Sequence, residues 1–297
     1  MATFPAPGFT GSPLTRLDIE RDASAFFEEQ LANPAARLLR LDGLKPVLDE
    51  DGRLSWGPMS EAPGDTALAM LGLIDGAPRF VALAGRPLGG DQRNESIAIA
   101  RTMTEAGDGA TYAAARSLVD WHARHRFCAN CGRISTVARS GWARFCLTAD
   151  GGCGTEHFPR TDPVVIMLAE HDGRVLLGRN LRAPYGFYSA LAGFLEVGES
   201  IEEAVARELH EEAGVVVTAV RYVTSQPWPF PSQLMIACIA TVESDAVTLD
   251  TNELSDALWA TRDEVRAALA DDPDSAFRVP FPIAIANTLL TAWVNGA

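Results

Sequence analysis

Lysine is nearly missing from this 297-residue sequence: Lys45 is the only one, so almost all positive charge rests on arginine. Cationic residues are also in deficit, 25 Lys and Arg against 39 Asp and Glu, for a net charge of −14. That balance excludes broad electrostatic capture of nucleic acid or of an anionic membrane, while leaving room for a local basic pocket. No run of 18 apolar residues occurs, which argues against a membrane-spanning helix. The opening stretch "MATFPAPGFTGSPLTRLDIERD" has no basic segment followed by an apolar one, so no secretory signal is expected and the expected compartment is the cytoplasm. Cysteine is scarce, five in all, yet Cys128, Cys131, Cys146 and Cys153 are crowded together. In a cytoplasmic chain such crowding points to a metal before it points to disulfides. Internal repeats and low-complexity tracts are absent.

The length suffices for two domains with separate cores, and 47% hydrophobic and 22% charged residues are ordinary for a globular protein. The first 125 residues read as α+β and contain no chemical motif. "ASAFFEEQLANPAARLLRLDG" has helical spacing and then a strand-like run. "TALAMLGLIDGAPRFVALAG" reads as two strands about a turn, and "DGATYAAARSLVDWHARHRF", 108–127, as an alanine-rich helix. The cysteine segment follows. Beyond it, "DPVVIMLAEHDGRVLLGRN" reads as strand, turn and strand, and "VVVTAVRYVTSQPWPFPSQLMIACIATV" as strands around a Pro-rich loop. "TRDEVRAALAD" and "PIAIANTLLTAWVN" read as helices.

Between those strands lies "GFLEVGESIEEAVARELHEEAGV" (193–215), dense in glutamate. Ser200 and Glu203 fit a capping box and Gly214 a helix-closing position, so a helix over 201–213 is expected. At about 100° per residue, Ile201, Val205 and Leu209 mark its buried stripe. Glu208 and Glu212 fall beside that stripe and Glu211 at its edge, whereas Glu202 and Glu203 point away. A solvated acidic helix would turn all its carboxylates outward. Unpaired carboxylates facing inward are costly and repel one another. A divalent cation of the Mg²⁺ or Mn²⁺ type, which favours carboxylate oxygens and bridges to phosphates, removes both difficulties.

Gly193, Glu199, Arg207, Glu208, Leu209, Glu211, Glu212, Gly214 and Val215 fill every fixed position of the Nudix box, G-x5-E-x7-R-E-U-x-E-E-x-G-U with U aliphatic. The chain therefore resembles the Nudix hydrolases. That resemblance implies an α/β fold, an α/β/α sandwich about a mixed sheet, and metal-dependent hydrolysis of a nucleoside diphosphate linked to a second group. It also implies that Glu208, Glu211 and Glu212 are catalytic, as metal ligands or general base. Glu199 and Arg207 would be structural partners, and the carbonyl of Ala192 a further Mg²⁺ or Mn²⁺ ligand.

"SQPWPFP" at 225–231 has prolines that pre-order a loop and aromatic rings suited to stacking. Placed after a Nudix box and a four-cysteine segment, it resembles the signature of NADH pyrophosphatases. These cleave the pyrophosphate of NADH or NAD⁺ to nicotinamide mononucleotide and AMP, and some remove NAD caps from RNA 5′ ends. The resemblance implies substrate contacts at Gln226, Pro227, Trp228, Pro229, Phe230, Pro231 and Ser232. It adds Phe194 against the nicotinamide, Phe158 where tyrosine is common, and Ala284. Glu253 is implied as an additional metal-binding glutamate, and a homodimer is expected. The implied division is an N-terminal α+β domain (1–125), a small zinc ribbon (126–160) and a Nudix domain (161–297).

The cysteines read C-x2-C-x14-C-x6-C, and four soft ligands suit tetrahedral structural Zn²⁺. The second pair is wider than the family's C-x2-C, so either Cys153 or the nearby His157 completes the site. Cys238 reads as an inert core thiol. Two alternatives stay open: a Nudix hydrolase for another substrate such as ADP-ribose, and a zinc-ribbon RNA-binding protein with an inactive Nudix module.

Overall fold

In the computed structural model, residues 6–18, 24–84 and 92–296 are described, and the chain divides into two units. One comprises Phe9–Thr161 with Trp228–Ser232, the other Asp162–Pro227 and Gln233–Ala297 with Met1–Gly8.

In the first unit, α1 (Ser24–Ala32) precedes four short strands: β1 (Arg37–Leu39), β2 (Leu41–Asp42), β3 (Lys45–Pro46) and β4 (Trp56–Pro58). The hairpin β5 (Leu68–Ile74) and β6 (Ala77–Ala82) follows. It turns at Asp75 and Gly76, both at positive φ, as a two-residue turn between right-twisted strands demands. The sheet order is β4-β1-β6-β5, with β1 and β6 parallel. Leu38, Met70 and Phe80 form its core with Phe27 and Leu31 packed against them. The lone lysine, Lys45, bridges Asp42 at 2.9 Å and Glu95 at 3.1 Å. The helices α2 (Arg93–Ala100) and α3 (Asp108–Arg124) follow. α3 stops short of the expected 127 because His125 leaves helical geometry and turns both its backbone N–H and its ring nitrogen onto the Trp121 carbonyl. Last come β7 (Thr136–Ala138), β8 (Ala143–Phe145) and β9 (Glu156–His157), a small antiparallel sheet among the cysteines.

The second unit is built on β10 (Asp162–His171) and β11 (Arg174–Asn180), joined through Asp172 and Gly173 at positive φ. Then follow β12 (Leu191–Phe194), α4 (Ile201–Ala213), β13 (Val217–Trp228), β14 (Gln233–Val242), β15 (Leu254–Thr261), α5 (Arg262–Leu269) and α6 (Ile285–Val294). The sheet order is β13-β14-β10-β11-β15 with β12 also on β10; β10 and β14 run parallel and β11 antiparallel to them, so the sheet is mixed. Period-two alternation sends β10 side chains to both faces. Val165, Met167 and Ala169 pack with Val205, Leu209 and Ala213 of α4, while Ile166 and Leu168 pack with Val265 of α5 and Leu289 and Trp293 of α6. This is the expected α/β/α sandwich. One expectation shifts: β13 continues through Ser225, Gln226 and Pro227, leaving only 229–232 as loop. β13 is an edge strand, which tolerates a proline lacking an N–H.

Candidate active site

α4 begins where the sequence places it. The Ser200 hydroxyl accepts the Glu203 N–H at 3.2 Å and the Glu203 carboxylate accepts the Ser200 N–H at 2.7 Å; Gly214 closes the helix at φ 69°. Its carboxylates divide by face as expected. Glu212 is 6% exposed and the Glu208 side chain 12%, whereas the Glu211 side chain is 59% exposed. Glu202 and Glu203 face solvent.

Arg207 organises this face. Its Nε and Nη2 donate to the two Glu199 oxygens at 2.6 and 2.9 Å, and Nη2 also donates to the Phe194 carbonyl at 2.9 Å. Nη1 donates to Glu208 at 2.9 Å and Glu211 at 3.0 Å. A guanidinium carries five N–H groups in a planar fork, and all are engaged. Glu199 also accepts the Glu196 N–H at 2.9 Å. Held chiefly by Arg207, its carboxyl drops to about 2. Gly193, on β12, is where Glu208 passes the sheet: a β-carbon there would lie 1.8 Å from the Glu208 carboxyl carbon.

Glu253 reaches the same region from a loop docked on the end of α4. The Thr248 N–H donates to the Ala213 carbonyl at 2.8 Å and the Asp250 N–H to that of Glu212 at 3.0 Å, satisfying carbonyls that a helix end leaves open. Ala192, Glu212 and Glu253 line a cavity of about 260 Å³ together with Gly178, Asn180 and Phe187. Burial pushes the Glu212 carboxyl up to about 8, with Glu208, Glu253, Asp250 and Glu211 adding repulsion. Glu208 is raised as well, burial outweighing its Arg207 partner. Among the described residues no cation pairs with Glu212. Buried Glu212, partly exposed Glu208 and exposed Glu253 offer hard carboxylate oxygens, two of them on the cavity wall, and that chemistry suits a hard divalent ion. The sequence reading missed Asn180, Phe187 and Asp250. Asn180 ends β11 and Phe187 lies in the connection to β12, neither of which carries a motif.

The SQPWPFP residues divide. Pro227 is exposed, Trp228 half-buried, and Pro231 and Ser232 are partly exposed. Gln226 and Phe230, both expected to line the substrate site, are buried. Gln226 is fully buried and its amide is bonded to backbone: Nε2 donates to the Gly8 and Ile283 carbonyls at 2.6 and 2.7 Å, and Oε1 accepts the Ile285 N–H at 2.8 Å. Phe230 is 3% exposed. In the first unit it lies 4.7 Å beneath the buried Arg116 guanidinium and meets Phe9 and Trp228 edge-on. Its ring serves packing, and Pro229 is buried beside it. Phe194 and Phe158 are exposed, the latter beneath Arg139 at 5.6 Å, and Ala284 is partly buried.

The sulfurs of Cys128, Cys131, Cys146 and Cys153 lie within 4.8 Å of one another, with pairs at 3.5 and 3.6 Å. Four thiolates about one Zn²⁺ would stand roughly 3.8 Å apart, from a Zn–S length of about 2.3 Å, so this set fits. The added residues of "CLTADGGC" form a 3₁₀ turn closed by Gly151 at φ 75°, which returns Cys153 to Cys146. His157 sits beside the group, with Nε2 3.1 Å from the Cys128 sulfur. The Thr155 hydroxyl and the Asn130 amide lower the Cys153 thiol toward thiolate.

Two family descriptions match consecutive stretches: the NADH pyrophosphatase zinc ribbon domain over residues 123–158 and the NUDIX domain over 159–279. The NAD-capped RNA hydrolase NudC of Mycobacterium bovis (strain BCG / Pasteur 1173P2) is 37% identical over 295 residues, covering 94% of this chain and 90% of that protein. The NAD-capped RNA hydrolase NUDT12 of Macaca fascicularis is 47% identical over 189 residues, 62% of this chain. Only 41% of that longer relative is matched. The NAD-capped RNA hydrolase of Schizosaccharomyces pombe is 42% identical over 222 residues, covering 67% of this chain and 59% of that protein. A Nudix fold carrying an intact carboxylate helix, a four-cysteine ribbon and a relative matched along nearly the whole chain agree: this chain belongs to the zinc-ribbon NADH pyrophosphatases of the Nudix hydrolase superfamily.

Proposed function

We propose that this protein hydrolyses the pyrophosphate bond of NADH or NAD⁺ to nicotinamide mononucleotide and AMP, and removes the same group from NAD-capped RNA. The observation that carries the reading is that Glu212 and Glu253 line one cavity with Ala192, while Glu208, seated over Gly193, adds its charge to the surroundings of Glu212. These three glutamates and the Ala192 carbonyl would hold Mg²⁺ or Mn²⁺; when bound, the ion neutralises charge on the pyrophosphate and makes water a better nucleophile. Arg207, locked by Glu199, fixes the Glu208 carboxylate in one orientation, so little reorganisation is left for the reacting state. Glu211, exposed at the rim, completes the catalytic set. Phe194 offers an exposed ring for stacking; in the first unit Phe158 is likewise exposed and Trp228 half-buried. Zn²⁺ on the four cysteines is structural, with His157 a neighbour of Cys128. The proposed division at 125/126 and 160/161 lies within three residues of the starts of the two family matches, at 123 and 159.

Hydrolysis of NADH, NAD⁺, NAD-capped RNA and ADP-ribose, with each metal, tests this. Expected products from NADH are reduced nicotinamide mononucleotide and AMP, with activity lost in chelator and in Glu212→Gln. Cleavage of ADP-ribose but not NADH would sink the proposed specificity, and undiminished activity of Glu212→Gln the catalytic assignment. A cytoplasmic homodimer belongs to the same proposal. Sedimentation showing only a 31.8 kDa species would count against the dimer.

A further inference from the structure

We infer that Gln226 is a positioning residue, and that through it Gly8, outside every recognised motif, helps to set the substrate-facing backbone. Three observations within one unit meet here. α6 is preceded by Ala284, which has no side-chain group to cap the helix. The Gln226 Oε1 instead accepts the first helical N–H, that of Ile285, at 2.8 Å. The amide nitrogen of the same side chain then bridges two carbonyls, Ile283 at 2.7 Å and Gly8 at 2.6 Å. A remote glutamine thus performs the task that Ser, Thr or Asp performs at most helix starts. Both amide hydrogens are used and the side chain is fully buried, so Gln226 has none left to donate to a ligand.

Gly8 is held to this arrangement by size. A β-carbon there would lie 2.4 Å from the Ile283 carbonyl oxygen and 3.1 Å from the Gln226 amide nitrogen. The carbonyls of 8 and 283 therefore approach one amide group only because position 8 lacks a side chain. Pro227, next to Gln226, and Ala284, between its two bonded neighbours, are the segments this clamp fixes; both were expected at the substrate. Gln226 acts through them rather than by touching substrate.

The kinetic arm of the test rests on the proposed NADH hydrolysis; amide hydrogen exchange does not. Wild type, Gly8→Ala and Gln226→Met are compared as full-length chains, together with a chain lacking only residues 1–8. The shortened chain removes the Gly8 acceptor without a clash, so it decides the matter if Gly8→Ala does not fold. For Gly8→Ala and the shortened chain, the expected result is KM for NADH raised at least about tenfold with kcat within about threefold of wild type. Exchange over residues 281–290 should quicken in all three variants, and the metal concentration for half-activation should stay unchanged. A raised KM in Gln226→Met alone, with normal KM in both Gly8 variants, would overturn the inference in favour of direct substrate contact. Unchanged exchange over 281–290 would overturn the clamp itself. If wild type fails to cleave NADH, the hydrolytic reading fails while exchange still judges the clamp.

Discussion

A methyl group at position 193 would sit 1.8 Å from the Glu208 carboxyl carbon, so the box glycine is a seat for the Glu208 carboxylate rather than a turn. Gly193→Ala should lower kcat by at least about tenfold through displacement of Glu208, with the circular dichroism spectrum retained; steady-state kinetics and spectra check both halves. Glu212 gives a pH prediction. Its folded value, about 8, stands above the ordinary 4.5, so the metal-free folded protein binds a proton that the unfolded chain releases. Between those values this residue makes stability fall as pH rises. Thermal unfolding in chelator should show the wild type losing stability relative to Glu212→Gln from pH 5 to 8 — a range taken from about 4.5 to about 8. Metal binding should release protons across the same window. At this scale the inward glutamates were legible, because apolar neighbours at helical spacing mark the face they share. The burial of Gln226 and Phe230 was not: their partners Gly8, Ile283, Ile285 and Arg116 are remote in sequence and belong to no periodic pattern.

Among the elements, α4 was legible to the residue because three local signals coincide: capping box, amphipathic stripe and closing glycine. The strands β1 to β4 were mostly not, since two or three residues are too few to show alternation. β13 overran its expected end because an edge position removes the usual objection to proline. Ser200→Ala should cost about 1 kcal/mol of stability by removing one half of the capping box, measured as a lowered urea midpoint with an unchanged slope. In the cysteine segment, a β-carbon at Gly152 would meet both the Cys146 sulfur and the Leu147 carbonyl at 2.6 Å. Gly152→Ala should therefore weaken zinc retention, read by competition with a chromogenic chelator, and a wild-type release rate would contradict that geometry.

The whole molecule carries a charge of −14 and would act on an anionic dinucleotide. Long-range repulsion between the two is screened by salt. Raising ionic strength from about 0.01 to 0.15 M should therefore increase kcat/KM for NADH modestly, by about twofold; a steep fall would reveal a local arginine field that outweighs the net charge. The chain passes from one unit to the other after Gly8, Thr161, Pro227 and Ser232. No single cut can then release either unit whole, and a gene fragment spanning 162–297 lacks its first eight residues while retaining five that belong elsewhere. Exchanging the two units as cassettes would therefore take four junctions rather than one, after Gly8, Thr161, Pro227 and Ser232.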